Sequence, residues 1–518
     1  MADFRGVADL LTVAAEQHPD KVALVEAAGR ARTWGQLDDD VSRFAAGLGA
    51  AGLVAGYRVM IAMGNRIEFV TAYLGALRAQ TVAVPVNPRS SVDELNRMLA
   101  DSGARMVVTD PDTVVSVRAA VAMLPQDGVR PRVVVVAATL LPGERSWDHL
   151  VAQHGAQIPL VRDPEALAAL LYTSGTSGRP RGAMLSHRAL LANIEQVAAI
   201  DPPMIGADDV VLGVLPLFHV YGLNAVLGVV LRQRAKLVLL ERFEPQATLD
   251  LIEDEACSVV PVAPAVLAHW LPVEHLDDRL GPVRLMLCGS APLSPELAAR
   301  FTAATDIPVH QGYGLTEASP VVTSTLCSQV VQPGSVGAAL PGVSIRLVDD
   351  DGRAPEGGDP GEILISGANL FSGYWPDGSD GPDAEGWWAT GDVGFLDRDG
   401  DLFLVDRVKE LVIVSGFNVY PSEVEDVIGE VDGVEAVAVI GAADEMTGEA
   451  VVAYVTGSGV DLVERVRAHC GTRLARFKQP TRIELVDELP LTVTGKVQKG
   501  RLRAAERRRR HVPLLEGE

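Results

Sequence analysis

The chain has 518 residues, 48% of them hydrophobic, which is long enough for several domains with deep cores and too apolar for global disorder. Lys and Arg number 45 against 68 Asp and Glu, and the resulting charge of −23 favours solubility and opposes nonspecific binding to nucleic acid or anionic lipid. Anionic ligands stay open, because single loops and helix ends can hold phosphate in an acidic protein.

Met1–Ala15 lacks the basic start, apolar run and cleavage site of a secretory signal, so a cytoplasmic protein is expected. Arg58–Met63 reads as a strand and Ile67–Ala79 as an amphipathic helix. Arg105–Thr109 and Val133–Ala137 are strand-like again. Tyr172–Gly182, YTSGTSGRPRG, is the most informative short segment. Gly175, Gly178 and Gly182 permit tight turns, and Thr173, Ser174, Thr176 and Ser177 supply short donors. Arg179 and Arg181 add positive charge. Such a loop can surround a polyphosphate, although composition alone also allows a surface turn. It is not a Walker loop, which needs a Lys followed directly by Ser or Thr.

Val210–Leu231 is apolar over the length of a membrane span, but Pro216, His219 and Asn224 interrupt it. A buried strand, a substrate-lining loop around PLFHVYG and a buried helix explain it better. Val283–Phe301 reads as a strand, a Gly/Ser/Pro turn and a helix capped by Ser294 with Pro295 in its first turn. In QGYGLTE, Gln311–Glu317, Gly312 and Gly314 allow close backbone approach and Tyr313 offers a flat face. Thr316 offers a hydroxyl and Glu317 a carboxylate suited to Mg²⁺ beside phosphate. Tyr313 as core packing and Glu317 as a surface charge are the plain alternatives. Residues 352–383 are rich in Gly, Pro and Asp and predict turns with short strands.

TGD at Thr390–Asp392 and DR at Asp406–Arg407 supply a carboxylate and a guanidinium able to hold ribose hydroxyls, if the fold brings them together. Past them, EVEDVIGEV predicts a helix starting near Glu423, and AVAVIGA and AVVAYVTG predict strands. The rhythm favours layered α/β packing: a large body over residues 1–406 and a smaller domain over residues 407–518. The final RLRAAERRRR reads as a solvated helix or tail. Cys257, Cys288, Cys327 and Cys470 are too scattered for a CxxC pair or a disulfide framework and read as ordinary thiols.

Five segments in this order, YTSGTSGRPRG, QGYGLTE, TGDVGFLDRDGDLFLVDRVKE, VSGFNVYPSEVED and LPLTVTGKVQKG, resemble the adenylate-forming superfamily of acyl-CoA synthetases, coumarate–CoA ligases, luciferases and peptide-synthetase adenylation domains. Bacterial fatty-acid–CoA ligases are the nearest in character. The resemblance implies an α/β fold with a large multi-subdomain adenylate-forming N-terminal domain and a small mobile α+β C-terminal domain. It implies ATP, Mg²⁺ and coenzyme A as cofactors and co-substrates.

By the same resemblance, Thr173, Ser174, Gly175, Thr176, Ser177, Gly178 and Arg181 form the phosphate loop, with Arg181 where Lys is usual. Gly289, Ser290, Ala291 and Pro292 flank adenine and acyl groups, together with Gln311, Gly312, Tyr313 and Gly314. Thr316 meets phosphate, Glu317 the metal, and Asp392 and Arg407 the nucleoside. Lys496 enters the site from the small domain for adenylation, Lys409 is the hinge, and Gly416 faces the thiol tunnel. Val414 and Ser415 stand where some relatives carry bases, which implies weaker or differently distributed CoA contacts there. His219 borders the acyl pocket with Gly289 and Gly314, whereas His187 is read as helix-associated structure. Largely apolar surroundings favour a medium- or long-chain fatty acid, with aryl and branched acids as alternatives. Transfer to a free carrier protein instead of CoA, a nucleotide-binding regulator and a luciferase-like oxidation are the other readings. A homodimer is compatible with all of these, and no nucleic acid partner is expected.

Overall fold

The computed structural model describes residues 4–152, 163–173, 180–291, 293–349, 352–355, 361–407, 412–419, 421–490, 497, 499, 502, 503 and 506. Two seven-stranded sheets form the centre of the large domain. One orders its strands Ala31–Thr33, Val22–Glu26, Lys236–Leu239, Val210–Gly213, Val259–Val262, Leu285–Cys288 and Val309–Gln311. The other runs Arg145–Ser146, Arg132–Val135, Met106–Thr109, Arg58–Ala62, Val82–Pro85, Leu167–Thr173 and Arg181–Ser186. Most neighbours are parallel; Ala31–Thr33 and Arg181–Ser186 are antiparallel edges. Strands such as Leu285–Cys288 are buried throughout, as parallel strands covered on both faces must be.

Helix Ile67–Arg78 corrects one expectation. Its residues from Phe69 to Leu77 are all buried, so it is a core helix rather than an amphipathic one. It packs against helices Val7–Gln17 and Trp34–Ala50, and its Gly75 approaches Phe44 so closely that a Cβ there would lie 2.6 Å from the ring. Helix Pro295–Thr305 forms as read, with Ser294 Oγ accepting the Leu297 N–H at 3.1 Å. The apolar run at 210 gives the strand Val210–Gly213, a loop, and then an unexpected π-helical stretch, Tyr221–Gly228, leading into the α-helix Val229–Gln233. Wide turns of this kind are frequent beside functional sites. Among the described residues no helix is long and apolar enough to cross a membrane.

A four-stranded antiparallel sheet follows, Val343–Val348, Gly361–Gly367, Trp387–Leu396 and Leu402–Arg407. The small domain is built on a five-stranded sheet in which Gly448–Gly457 pairs with Val412–Val414, Val434–Asp444 and Arg482–Leu485. Helices Pro421–Gly429 and Leu462–Arg473 cover one face of it through Val424, Ile428, Val466 and Cys470. The first of these begins two residues before the expected Glu423. The sheet's other face buries Ala438, Ile440 and Tyr454 with Leu489 and Leu502, from the chain's last described turns.

Candidate active site

A cavity of about 630 Å³ opens at the carboxyl ends of the first sheet's parallel strands, where doubly wound folds hold ligands. The turn after Leu285–Cys288 places Gly289, Ser290 and Ala291 in its wall. The turn after Val309–Gln311 adds Gln311, Gly312, Tyr313, Gly314, Thr316 and Glu317. His219 and Tyr221 enter from the π-helical stretch, Asp392 from the four-stranded sheet, and Gly416 from the small domain. Segments that the sequence left far apart are therefore gathered around one space.

Sheet register explains one convergence. Asp392 pairs with Arg407 across the hairpin, so TGD and DR lie opposite each other; the Arg407 side chain lies outside the described residues. The Tyr313 hydroxyl donates to Asp392 Oδ2 at 2.7 Å, fixing the orientation of a buried carboxylate. Thr173 and Arg181 pair at the two ends of the phosphate-loop strands, but neither lines the cavity. Ser174, Gly175, Thr176, Ser177, Gly178, Pro292, Lys409 and Lys496 lie outside the described residues.

His219 takes a defined state. Its Nδ1 accepts the Tyr221 N–H at 3.3 Å, and desolvation lowers its pKa to about 4, so the ring is neutral at physiological pH. It serves as wall rather than as a charged group. His187 likewise behaves as structure: it is buried at the start of helix His187–Ala198, and its Nδ1 accepts the Val7 N–H at 3.4 Å. The Cys288 thiol lines the cavity, and burial pushes it far above the usual thiol range, which keeps it protonated and inert.

The turn-rich segment before Trp387 supplies partners that sequence reading missed. Tyr374 donates its hydroxyl to Glu317 Oε1 at 2.6 Å. The Arg181 guanidinium lies 3.7 Å from the Tyr374 ring centroid and pairs with Asp380 at 2.6 Å. Backbone bonds from Trp375 N to Gly182 O and from Met184 N to Gly373 O hold this segment on strand Arg181–Ser186. The exit of the phosphate loop and the Glu317 carboxylate are thus tied through one tyrosine. The signal available in sequence was GYWPDGSD, an aromatic flanked by turn residues.

Gly416 brings the small domain's backbone against the turn at Ser290. Its φ is +81°, and a Cβ there would lie 2.6 Å from Ser290 Cβ, so only glycine fits. The next ring, Phe417, stacks between Phe218 and Phe477, with centroids 6.0 and 4.6 Å away. Gly289 makes room in the same manner, since a Cβ there would meet the Tyr221 ring at 2.9 Å.

The family description "AMP-binding enzyme" matches residues 11–375, and that of the AMP-binding enzyme C-terminal domain matches residues 423–496. The chain is 34% identical over 511 residues to a 4-coumarate–CoA ligase-like protein of Oryza sativa, covering 94% of this chain and 90% of the relative. It is 31% identical over 536 residues to a long-chain-fatty-acid–CoA ligase of Bacillus subtilis, covering 97% and 95%. Among solved structures, the amide bond synthetase McbA of Marinactinospora thermotolerans superposes with a TM-score of 0.85 at 28% identity, over 96% of this chain and 99% of that one. An o-succinylbenzoate CoA synthetase of Bacillus subtilis, bound with its product analogue OSB-NCoA, gives 0.82 at 26% identity, over 96% and 98%. ATP-bound MatB from Rhodopseudomonas palustris gives 0.71 at 33% identity, over 96% and 98%. Matched by both family descriptions, and by relatives across nearly its whole length, this chain belongs to the AMP-binding, adenylate-forming family and is an AMP-forming acid–CoA ligase.

Proposed function

We propose that the chain activates a medium- or long-chain fatty acid and transfers it to coenzyme A. The observation that carries this reading is the apolar end of the cavity, walled by Val197, Ile200, Met204, Ala225, Leu287 and Val321. An unbranched acyl chain fills such a space without leaving a polar group unpaired. A second reading, an aryl acid bearing a hydroxyl, is favoured by Tyr221. Its phenol lines the cavity and makes no hydrogen bond to another described residue.

In the first half-reaction the acid's carboxylate oxygen attacks the α-phosphorus of ATP, and pyrophosphate leaves. In the second, the thiol loses its proton and attacks the acyl carbon, and AMP leaves. The first half needs charge neutralisation and alignment more than a covalent nucleophile. We assign this to Thr316 and the phosphate loop, with Lys496 presented by the small domain. Tyr313 and Asp392, with Arg407 opposite, hold the nucleoside. Among the described residues no group of three or more His, Cys, Asp or Glu could hold a metal by itself. The cavity carboxylate of Glu317, on the turn that also carries Thr316, suits Mg²⁺, which binds through one or two carboxylates together with substrate phosphates. Such an ion would neutralise phosphate charge. Tyr374 then orients the carboxylate that holds it. Tyr374→Phe is expected to weaken Mn²⁺ binding in the presence of ATP about tenfold, read by calorimetry, and to raise the Mg²⁺ requirement in parallel. Unchanged binding would remove that role.

We assign the present arrangement to the second half, with the domain boundary at 406/407 and Lys409 as hinge. Gly416 roofs the cavity here. In support, the overlay is better on the synthetase carrying a CoA-product analogue than on MatB, whether ATP-bound or apo, at equal coverage of this chain.

Incubation with Mg²⁺, ATP, CoA and a pooled acid panel, read by mass spectrometry, tests the reading. Fatty acyl-CoA is the expected product, and a hydroxyaryl-CoA would select the second reading. An acyl-adenylate that is never discharged to CoA would move the acceptor to a carrier protein.

A further inference from the structure

Helix Val92–Ser102 of the large domain begins with two adjacent acids, and both reach the small domain. Glu94 Oε1 lies 2.7 Å from Lys478 Nζ, and Asp93 Oδ2 lies 3.1 Å from Arg473 Nε. Each base is also held from its own domain, Lys478 by Glu423 at 2.9 Å and Arg473 by Glu430 at 3.1 Å. The two prongs differ in burial. The side chains of Lys478 and Glu94 are 7% and 5% exposed, against 33% and 29% for Arg473 and Asp93. The exposed pair is screened and contributes little, so the buried pair decides whether the two surfaces meet.

Glu94 is fixed before the small domain arrives. Its Oε2 accepts the Ser91 N–H at 2.8 Å and Ser91 Oγ accepts the Glu94 N–H at 3.2 Å, closing a capping box on a rigid helix. Lys478 stands next to Phe477, whose ring packs on Phe417, the neighbour of Gly416. A displacement at Lys478 is therefore passed through one aromatic contact to the roof of the cavity. Docking trades the hydration of three charged groups for charge-assisted hydrogen bonds. Such an exchange is close to balanced in energy but strict in geometry, which suits a contact that must form and release.

We infer that Asp93 and Glu94 are a docking clasp, and that Glu94 with Lys478 is a positioning pair that seats Gly416 and Phe417 for the thiol-transfer half-reaction. This rests on the two-arrangement reading above. It assigns the pair no contact with substrate. Its consequence is selective: loss of Glu94 slows the step run in the docked arrangement and spares the other.

Glu94→Gln tests it, because Gln also completes a capping box while removing the charge. Three readouts are compared with the wild type at equal thermal stability. Acid-dependent ATP–pyrophosphate exchange should be unchanged. Single-turnover transfer from isolated acyl-adenylate to CoA should be about tenfold slower. Hydrogen exchange over residues 412–419 should be faster without any substrate. Asp93→Asn, on the exposed prong, should slow transfer less than twofold. Equal loss in both half-reactions, or unchanged hydrogen exchange in Glu94→Gln, would overturn the clasp. A wild type that never discharges its adenylate to CoA would instead refute the proposed acceptor, and the hydrogen-exchange comparison would still decide the clasp.

Discussion

Lys478→Met is expected to destabilise the docked, folded chain by about 3–5 kcal/mol at pH 8, the usual consequence of removing one partner from a buried ion pair. The ammonium lies between Glu94 and Glu423, both 5% exposed at the side chain, and Met would leave two carboxylates sharing a pocket with only the more distant charge of Arg97 acting on Glu423. Desolvation already raises the Glu423 pKa while Lys478 is present, and the second oxygen of that carboxylate is buried without a hydrogen-bond partner among the described residues. Removing the ammonium pushes the Glu423 carboxyl further in the same direction. An acid whose pKa is higher folded than unfolded binds more protons in the native state between those two values, so stability falls as pH rises through that window. The deficit should therefore be greatest at pH 8 and shrink toward pH 5, read from denaturant midpoints. Combining Lys478→Met with Glu94→Gln and Glu423→Gln should recover most of the loss, because a neutral cluster has no unpaired charge to desolvate. A single variant as stable as wild type at pH 8 would mean that water reaches the lysine.

What could be read in the sequence and what could not divide along physical lines. Ser294 before Pro295 specifies its helix through contacts within one turn, and the structure has that cap. The glycine-rich turns at Gly289 and Gly312 were visible because backbone approach restricts residue type locally. The meeting of Asp392 with Tyr313 was foreseeable only in kind, since it depends on a sheet placing one segment over another. The amphipathic reading of Ile67–Ala79 failed because periodicity cannot reveal that the sheet on one side and helices on the other cover a helix all round. The widened turns of Tyr221–Gly228 leave no composition mark that separates them from an ordinary apolar helix. Tyr374 on Glu317, Arg181 on Asp380 and Lys478 on Glu94 are pairings between residues remote in the chain, made by tertiary closure. In sequence Arg181 stood out only as the phosphate-loop base, and nothing marked Tyr374 or Lys478 for pairing.

Gly416→Val is expected to slow acyl transfer to CoA at least about 100-fold, equivalent to roughly 2.7 kcal/mol on that barrier. Two independent costs meet at this position. The backbone has φ +81°, where a β-branched residue is strained, and a Cβ would stand 2.6 Å from Ser290 Cβ and 3.0 Å from Ser290 O. The Ser290 backbone belongs to the turn that forms the cavity wall, so the small domain must lift instead. Lifting carries Phe417, with Phe477, away from Phe218 and opens the roof beneath which the thiol attacks. Adenylate formation should stay within about threefold of wild type, because the proposed arrangement for that half presents Lys496 rather than Gly416 and needs no contact with Ser290. Mass spectrometry under single turnover should then find acyl-adenylate accumulating where the wild type yields acyl-CoA. Loss of both products would place Gly416 in the fold of the small domain, whereas retention of acyl-CoA would mean that transfer proceeds with the roof displaced.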